Sequence, residues 1–307
     1  MVSVVIPVYN NSAYLRQCVD SVLAQSRCLS QVVLVDDGST DASPAICDEY
    51  AAGDSRVTVI HKANGGVSSA INAGLDAASA PWVMIVDSDD ALWTEALATL
   101  CRAADESHCD VVAPRYTHYA ECLGAGSLGG NVVPADVYTA DCLLQRPGTD
   151  NCMAGKLVSR RIFSNLRFRE GTRYEDLDIF YRVYQAAGTV CAVDAVTYFY
   201  RLNPHGFMLS GGAAHTDVLP VAERIVEWSK GRGWALERAA ADRLFAAACT
   251  ALSCAESEDM SRHAWETVCS HRRRVVANRQ SRPKNRVAAL LSYLGRRIFT
   301  SVLRRLR

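Results

Sequence analysis

The segment "WVMIVDSDD", residues 82–90, limits the fold more than any other. An apolar run rich in β-branched residues ends abruptly in Asp87, Ser88, Asp89 and Asp90. Such a run predicts a buried strand of the kind found in parallel sheets. Three carboxylates within four residues repel one another and lose hydration on burial, so something must offset that cost. A divalent cation is the first candidate. Side chains alternate along an extended segment, which puts Asp87 and Asp89 on the same side. The competing reading is a cap, with Asp89 or Asp90 starting a helix near Leu92.

The same pattern recurs upstream. "VSVVIPVYN" (2–10) predicts a strand, and Leu15, Val19, Val22 and Leu23 predict a helix over 11–26 capped by Asn11 or Ser12. A strand over 31–41, a helix over "DASPAICDEYAA", a strand over 56–62 and a loop turning into a helix at "GGVSSAINAGLDAAS" follow. This alternation predicts an α/β fold with a doubly wound sheet flanked by helices. Ligands of such sheets bind beyond the carboxyl ends of the strands. Three of those ends are polar: Tyr9-Asn10, Asp36-Asp37 and Asp87-Ser88-Asp89. Downstream, 110–120 reads as a strand, "GAGSLGGN" (124–131) as a flexible loop, and "VCAVDAVTYFYR" as a strand pair. Residues 213–256 read as helices. Residues 284–307 read as one basic amphipathic helix with a stripe of Val287, Leu291, Leu294, Ile298 and Val302.

Two further motifs carry chemistry. In "VDDGSTD", a carboxylate can accept from the N3–H of a uracil while Tyr9 stacks on the base; a capped turn explains the same residues. "NGGVSSAINAG" (64–74) is not GxGxxG, so the dinucleotide fingerprint fails, yet a loop entering a helix can face phosphates. In "RYEDLDIFYRV" (173–183), helical spacing puts Asp176, Phe180 and Val183 on one face, making Asp176 a half-buried carboxylate suited to general base work. Acids in a first helical turn also simply favour the helix dipole.

Charge is uneven although the total is zero. Glu266 is the last acid; Thr267 to Arg307 holds 12 Lys or Arg, leaving 21 basic against 33 acidic residues before it. An acidic body with a basic tail predicts an anionic surface as the tail's partner. The 12 cysteines are scattered without CxxC or zinc-like spacing, so they read as reduced apolar fillers in a cytoplasmic protein. No signal peptide and no run of 18 apolar residues is found.

Taken in order, "VSVVIPVYN", "VVLVDDGSTD", "NGGVSSAINAG", "VDSDD", "GKLVSRRIF", "YEDLDIFYR" and "YFYRLNP" resemble the family 2 glycosyltransferases of the GT-A fold, over about residues 1 to 210. The resemblance implies a GT-A mixed sheet in a catalytic domain over 1–210, followed by a helical extension over 211–266 and a basic tail over 267–307. It implies that Pro7, Tyr9 and Asp37 hold the uracil of a UDP-sugar, with Asn64, Ser88 and Arg201 also in the donor site. Asp87 would contact the ribose or metal. Asp89, with Asp87 and His205, would ligate Mn²⁺ or Mg²⁺. Asp176 would be the catalytic base with Glu175 beside it, and Lys156 and Arg160 would lie near the acceptor. The implied reaction is inverting, metal-dependent transfer to a hydroxyl of a glycan or lipid-linked acceptor in envelope polysaccharide synthesis. The enzyme would be cytoplasmic or peripheral on the inner membrane face, and a homo-oligomer is allowed. Ile71 stands where many relatives carry arginine, and Gly206 where many carry serine. The alternatives are a degenerate sugar-nucleotide-binding protein without turnover and a nucleotidyltransferase, whose glycine-rich loop after the first strand is missing from "VYNNSAYLRQ". Nucleic acid is not expected, because the tail has few aromatics.

Overall fold

A computed structural model describes residues 1–25, 27–119, 136–145, 150–203, 206 and 212–306. The chain divides into two compact units. The first comprises Met1–Ala140, Cys152–Gly171 and Arg182–Gly206; the second comprises Asp141–Asn151, Thr172–Tyr181 and Phe207–Arg307.

The first unit is built on a sheet of β1 (Val2–Val8), β2 (Leu29–Asp36), β3 (Val57–His61), β4 (Trp82–Ile85), β5 (Ala91–Leu92), β6 (Val111–Tyr119), β7 (Asp136–Thr139), β8 (Leu157–Ser159) and β9 (Thr189–Arg201). The order is β3-β2-β1-β4-β8-β6-β9-β5, with β7 also on β9. β3, β2, β1 and β4 run parallel, and the antiparallel β8 makes the sheet mixed. The helices α1 (Ser12–Leu23), α2 (Ser43–Gly53) and α3 (Val67–Ala77) supply the parallel crossovers, and α4 (Ala96–Ser107) follows β5.

Alternation along β1 divides its side chains between two faces. Val4 and Ile6 share a core with Leu15 and Val19 of α1. Val5 faces α3, where a Cβ on Gly74 would stand 2.3 Å from Val5 Cγ1, so the helix lies on the sheet only because residue 74 is glycine. Each fully buried Val, Leu or Ile stabilises by roughly 1.5–3 kcal/mol. Pro7 sits within the central strand β1. Val5 O still accepts from Val86 N (3.0 Å), but Pro7 has no N–H to carry the ladder further, and the chain leaves β4 toward Asp87 there.

The segment expected as a strand pair at 190–201 is instead the single strand β9. It contains no glycine or proline to reverse the chain, and its irregularity is taken up as register shifts against β6 between Ala113 and Tyr116. The glycine-rich loop at 124–131 lies outside the described residues.

The helices that remain are α5 (Ala140–Leu144), α6 (Glu175–Ala187), α7 (Val218–Ser229), α8 (Trp234–Cys254), α9 (Glu258–Ala277), α10 (Pro283–Leu291) and α11 (Arg296–Arg305). Within the second unit, α7 to α11 share one core that includes Leu219, Phe245, Leu252, Val268, Ala289 and Phe299. The single helix expected over 284–307 is two, broken by a 3₁₀ turn at Ser292–Leu294 and by Gly295, whose φ of 93° suits glycine. The break rotates the stripe. Ala289 and Phe299 face the core, whereas Val287, Leu294 and Ile298 are exposed.

Candidate active site

The loops beyond β1, β2 and β4 are sewn together by side chains. Asn10 N donates to Ser39 Oγ (3.0 Å), and Asn10 Oδ1 accepts from Thr40 N (2.7 Å). Asn11 N donates to Ser43 Oγ (3.0 Å), and Ser12 N to Asp41 Oδ2 (2.9 Å). Asn11, expected to cap α1, makes no cap bond; its Nδ2 donates to Ser88 Oγ (2.8 Å) instead. The β1 loop therefore bridges the other two. Tyr9 extends from it, 52% exposed, and Pro7 is buried.

Asp36 and Asp37 are both buried. Burial opposes ionisation of Asp36, but His61 Nδ1 (2.9 Å) and Ser39 outweigh it and hold the carboxyl below its usual range. Asp37 accepts from Lys62 Nζ (2.6 Å), Gly65 N (3.0 Å) and Gly66 N (2.8 Å). It thereby shapes the loop entering α3, on which Asn64 is exposed. A base contact by Asp37 has to share a carboxylate that already serves three donors.

The acidic loop distributes its charges unequally. Asp87 and Asp89 are half-buried, and Ser88 and Asp90 are buried. Tyr198 Oη accepts from Asp87 N (3.1 Å) and donates to Asp90 Oδ2 (2.6 Å), while Asp90 Oδ1 accepts from Arg201 N (2.7 Å). Burial pushes the Asp90 carboxyl up to about 7, against the lowering effect of the Arg201 and Tyr198 hydrogen bonds. The Asp89 carboxylate accepts from Asn203 Nδ2 (2.8 Å). Neither Asp89 nor Asp90 caps a helix: Ala91–Leu92 are strand, and α4 begins only at Ala96.

Arg201, expected among donor contacts, is a buried clamp. Its guanidinium lies 4.5 Å from the ring centroids of both Tyr14 and Tyr119. Its Nε donates to Asp89 O (2.7 Å), and its second amino group donates to Tyr119 Oη (2.7 Å) and to Gln17. Lys156 is likewise buried and donates to Cys152 O, whereas Arg160 is exposed. Beside Lys156, Gly155 N donates to Ile85 O (2.9 Å) with φ 74°, and a Cβ there would stand 2.5 Å from Tyr198 Cδ2. Ile71 is buried in α3. His205 lies outside the described residues. Tyr198, Tyr119 and Asp90 are the site residues that motif reading missed; the third acid of "DSDD" and the alternating tyrosines of "TYFYR" were the available signals.

In the second unit, Tyr174 precedes α6 with φ 58°, an uncommon and strained conformation for an aromatic residue. Its Oη bonds the buried His215 at Nδ1 (2.6 Å). Glu175 and Asp176 follow, both half-buried, and burial raises the Glu175 carboxyl. Asp178 is buried and accepts from Arg224 Nε (2.7 Å).

The comparisons with known proteins bear on this arrangement. Residues 3–167 match the family "Glycosyl transferase family 2", more than half of the chain. The chain belongs to the family 2 glycosyltransferases. It is 33% identical to glycosyltransferase GlyG of Streptococcus pneumoniae over 68% of this chain and 73% of that one. To the uncharacterized glycosyltransferase EpsJ of Bacillus subtilis it is 30% identical, over 67% of this chain but 62% of EpsJ. A crystal structure of S. aureus TarS 1-349 in complex with UDP-GlcNAc shares the fold at a TM-score of 0.67, with 19% identity over 95% of this chain and 91% of that one. This family 2 member is therefore a glycosyltransferase with the GT-A architecture.

Among the described residues, no group of three or more His, Cys, Asp and Glu is placed to hold a metal. The half-buried carboxylates of Asp87 and Asp89 form a hard-oxygen pair, which fits a cation that takes one or two carboxylates and completes its shell with substrate phosphates.

Proposed function

We propose that this glycosyltransferase moves a sugar from a UDP-sugar to a hydroxyl of a glycan or lipid-linked acceptor, with inversion, in cell-envelope polysaccharide synthesis. The observation that supports it most is the acidic loop, where Tyr198 and Arg201 fix the backbone of Asp87 to Asp90 and leave the carboxylates of Asp87 and Asp89 half exposed. Tyr9 stacks on the uracil, with Pro7 and Asp37 beside it. Asn64 and Ser88 complete the donor contacts, and Asp87 reaches the ribose or shares the metal with Asp89. Mn²⁺ or Mg²⁺ bound there supplies charge stabilisation for the departing diphosphate. Asp176, with Glu175 as neighbour, accepts the proton of the acceptor hydroxyl as it attacks the anomeric carbon opposite the UDP. One displacement needs no enzyme nucleophile. The buried Cys18 and Cys47 thiols, pushed up by burial, suit that view.

We also assign the basic end of the chain to an anionic membrane surface. Val287, Leu290, Leu294 and Ile298 are exposed on α10, α11 and the turn between them, in a stretch without acids. No described helix is long and apolar enough to cross a membrane.

The test is UDP release from a panel of UDP-sugars with Mn²⁺ or EDTA. Metal-dependent release with one donor, reduced about 10²–10⁴-fold in Asp176→Asn, is expected, and Asp89→Asn should abolish the metal dependence. Release unaffected by EDTA and by both substitutions sinks the mechanism.

A further inference from the structure

Tyr174 stands where glycine would be free of strain. Its φ of 58° costs an L-residue free energy, and such conformations persist only where the surroundings over-determine them. Tyrosine there must contribute something that glycine cannot. Its ring packs against the core of the second unit, edge-on to His215 with the centroids 6.1 Å apart, and its Oη lies 2.6 Å from His215 Nδ1. Its backbone meanwhile opens α6: Tyr174 O accepts from Asp178 N (3.1 Å).

His215 is 2% exposed and belongs to the 3₁₀ turn Ala213–Asp217, which runs directly into α7. From α7, Arg224 Nε donates to Oδ1 of the buried Asp178 (2.7 Å). One continuous stretch of chain, 213–229, therefore holds α6 at 174 and at 178, on either side of Glu175 and Asp176. A third contact, Arg173 with Asp217 (3.3 Å), is exposed at both partners and contributes little. The Tyr174–His215 bond reaches a buried ring, where a lost hydrogen bond costs more.

We propose that Tyr174 and His215 are positioning residues for the transfer reaction: their hydrogen bond fixes the first turn of α6 and with it the direction of the Asp176 carboxylate. This rests on the reading of Asp176 as the base. A base has to sit within hydrogen-bond reach of the proton it takes, and a misplacement of about 1 Å can cost on the order of 10²-fold in rate. The strain at Tyr174 is then the cost of placing an anchoring hydroxyl two residues before the base.

Two measurements on the full chain test this. Tyr174→Phe keeps the ring and loses the hydroxyl; hydrogen exchange read by mass spectrometry should quicken in peptides covering 175–182 and stay unchanged in β1 to β4. UDP release, with the UDP-sugar of the panel that turns over, should show kcat lowered about tenfold or more by Tyr174→Phe and by His215→Leu, with KM for the donor within about twofold. The double variant should be no slower than either single one, because both break the same bond. His215→Asn keeps a hydrogen-bonding group near the Nδ1 position and should recover most of the rate. Unchanged exchange or unchanged kcat in Tyr174→Phe overturns the proposal. Losses that multiply in the double variant overturn it too, as does a His215→Asn enzyme as slow as His215→Leu. Asp176→Asn keeps the two ideas apart. If it is inactive while Tyr174→Phe turns over at the wild-type rate, only this inference fails; if it keeps full turnover, the reading of Asp176 as base fails, whatever the exchange shows.

Discussion

Replacing Gly155 by alanine tests the packing of the acidic loop. The residue has φ 74°, and its Cβ would meet Tyr198 Cδ2 at 2.5 Å and Cγ at 2.7 Å. The left-handed conformation alone costs an L-residue roughly 1–2 kcal/mol. Carbon atoms prefer separations of about 3.5–4.0 Å, so the ring has to retreat by roughly an ångström. That ring is buried, and its hydroxyl holds both Asp87 N and Asp90 Oδ2. Stretching those bonds in the interior costs about 1–3 kcal/mol more. The total, about 2–5 kcal/mol, is a large share of the stability of an ordinary domain. Urea unfolding should show it as a fall in midpoint at constant slope. The double-mutant cycle with Tyr198→Ala separates strain from clash, because alanine at 198 removes Cγ and Cδ2. A coupling of about 0.5–3 kcal/mol is expected between the two positions. Destabilisation under about 1 kcal/mol, or strict additivity, would refute the argument.

Tyr198→Phe keeps the ring and removes the hydroxyl; it should cost about 1–3 kcal/mol in urea and weaken metal-dependent UDP binding, which titration calorimetry reads. The pair His61 and Asp36 sets a pH window: the hydrogen bonds to Asp36 and Asp48 raise His61, so its contribution is complete below about pH 6.5 and fades as pH rises through the raised value. Asp36 is lowered, so its contribution is present above about pH 3.8 and lost as pH falls through the lowered value. His61→Gln should remove the decline on the alkaline side, measured as melting temperature against pH, while a profile identical to wild type would dismiss the pair. Leu294→Glu with Ile298→Glu should abolish sedimentation with phosphatidylglycerol vesicles and leave UDP binding unchanged; undiminished sedimentation would show that these exposed residues do not meet lipid.

The first half of the fold was legible because local periodicity and tertiary placement agree there. β1 to β4 are short β-branched runs, and α1 to α3 repeat their apolar residues at helical spacing. The positions of Tyr9, Asp37, Asp87 and Asp89 at strand ends followed from the same pattern. What a local reading could not supply was partners far away in sequence. Arg201 looked available for a ligand until Tyr14, Gln17 and Tyr119 enclosed it. Asn11 had the chemistry of a cap and was drawn to Ser88 instead. In 284–307 the stripe was real as a pattern, but Gly295 broke the helix that would have aligned it. The long β9 was misread because β-strand bends are visible in pairing, not in composition.

The acidic loop bears on the metal as well. Three acids within four residues suggested that a cation is needed to hold the segment together. The geometry gives a different account. Burial keeps Asp90 protonated over much of the acidic range, the Arg201 guanidinium lies against the Asp89 carbonyl, and Tyr198 and Asn203 donate to Asp90 and Asp89. The loop is thus held by hydrogen bonds and one buried cation of the chain itself. Under the proposed metal dependence, a cation would meet an organised site and add only the linkage free energy of its own binding, about 2.7 kcal/mol at a concentration of 100 Kd. EDTA-treated protein should accordingly unfold cooperatively, with the same urea slope as untreated protein and a midpoint that rises with Mn²⁺ in proportion to the logarithm of its concentration. A midpoint insensitive to Mn²⁺ would deny that the folded chain binds the ion. Loss of the cooperative transition in EDTA would show that the carboxylates do depend on it for folding.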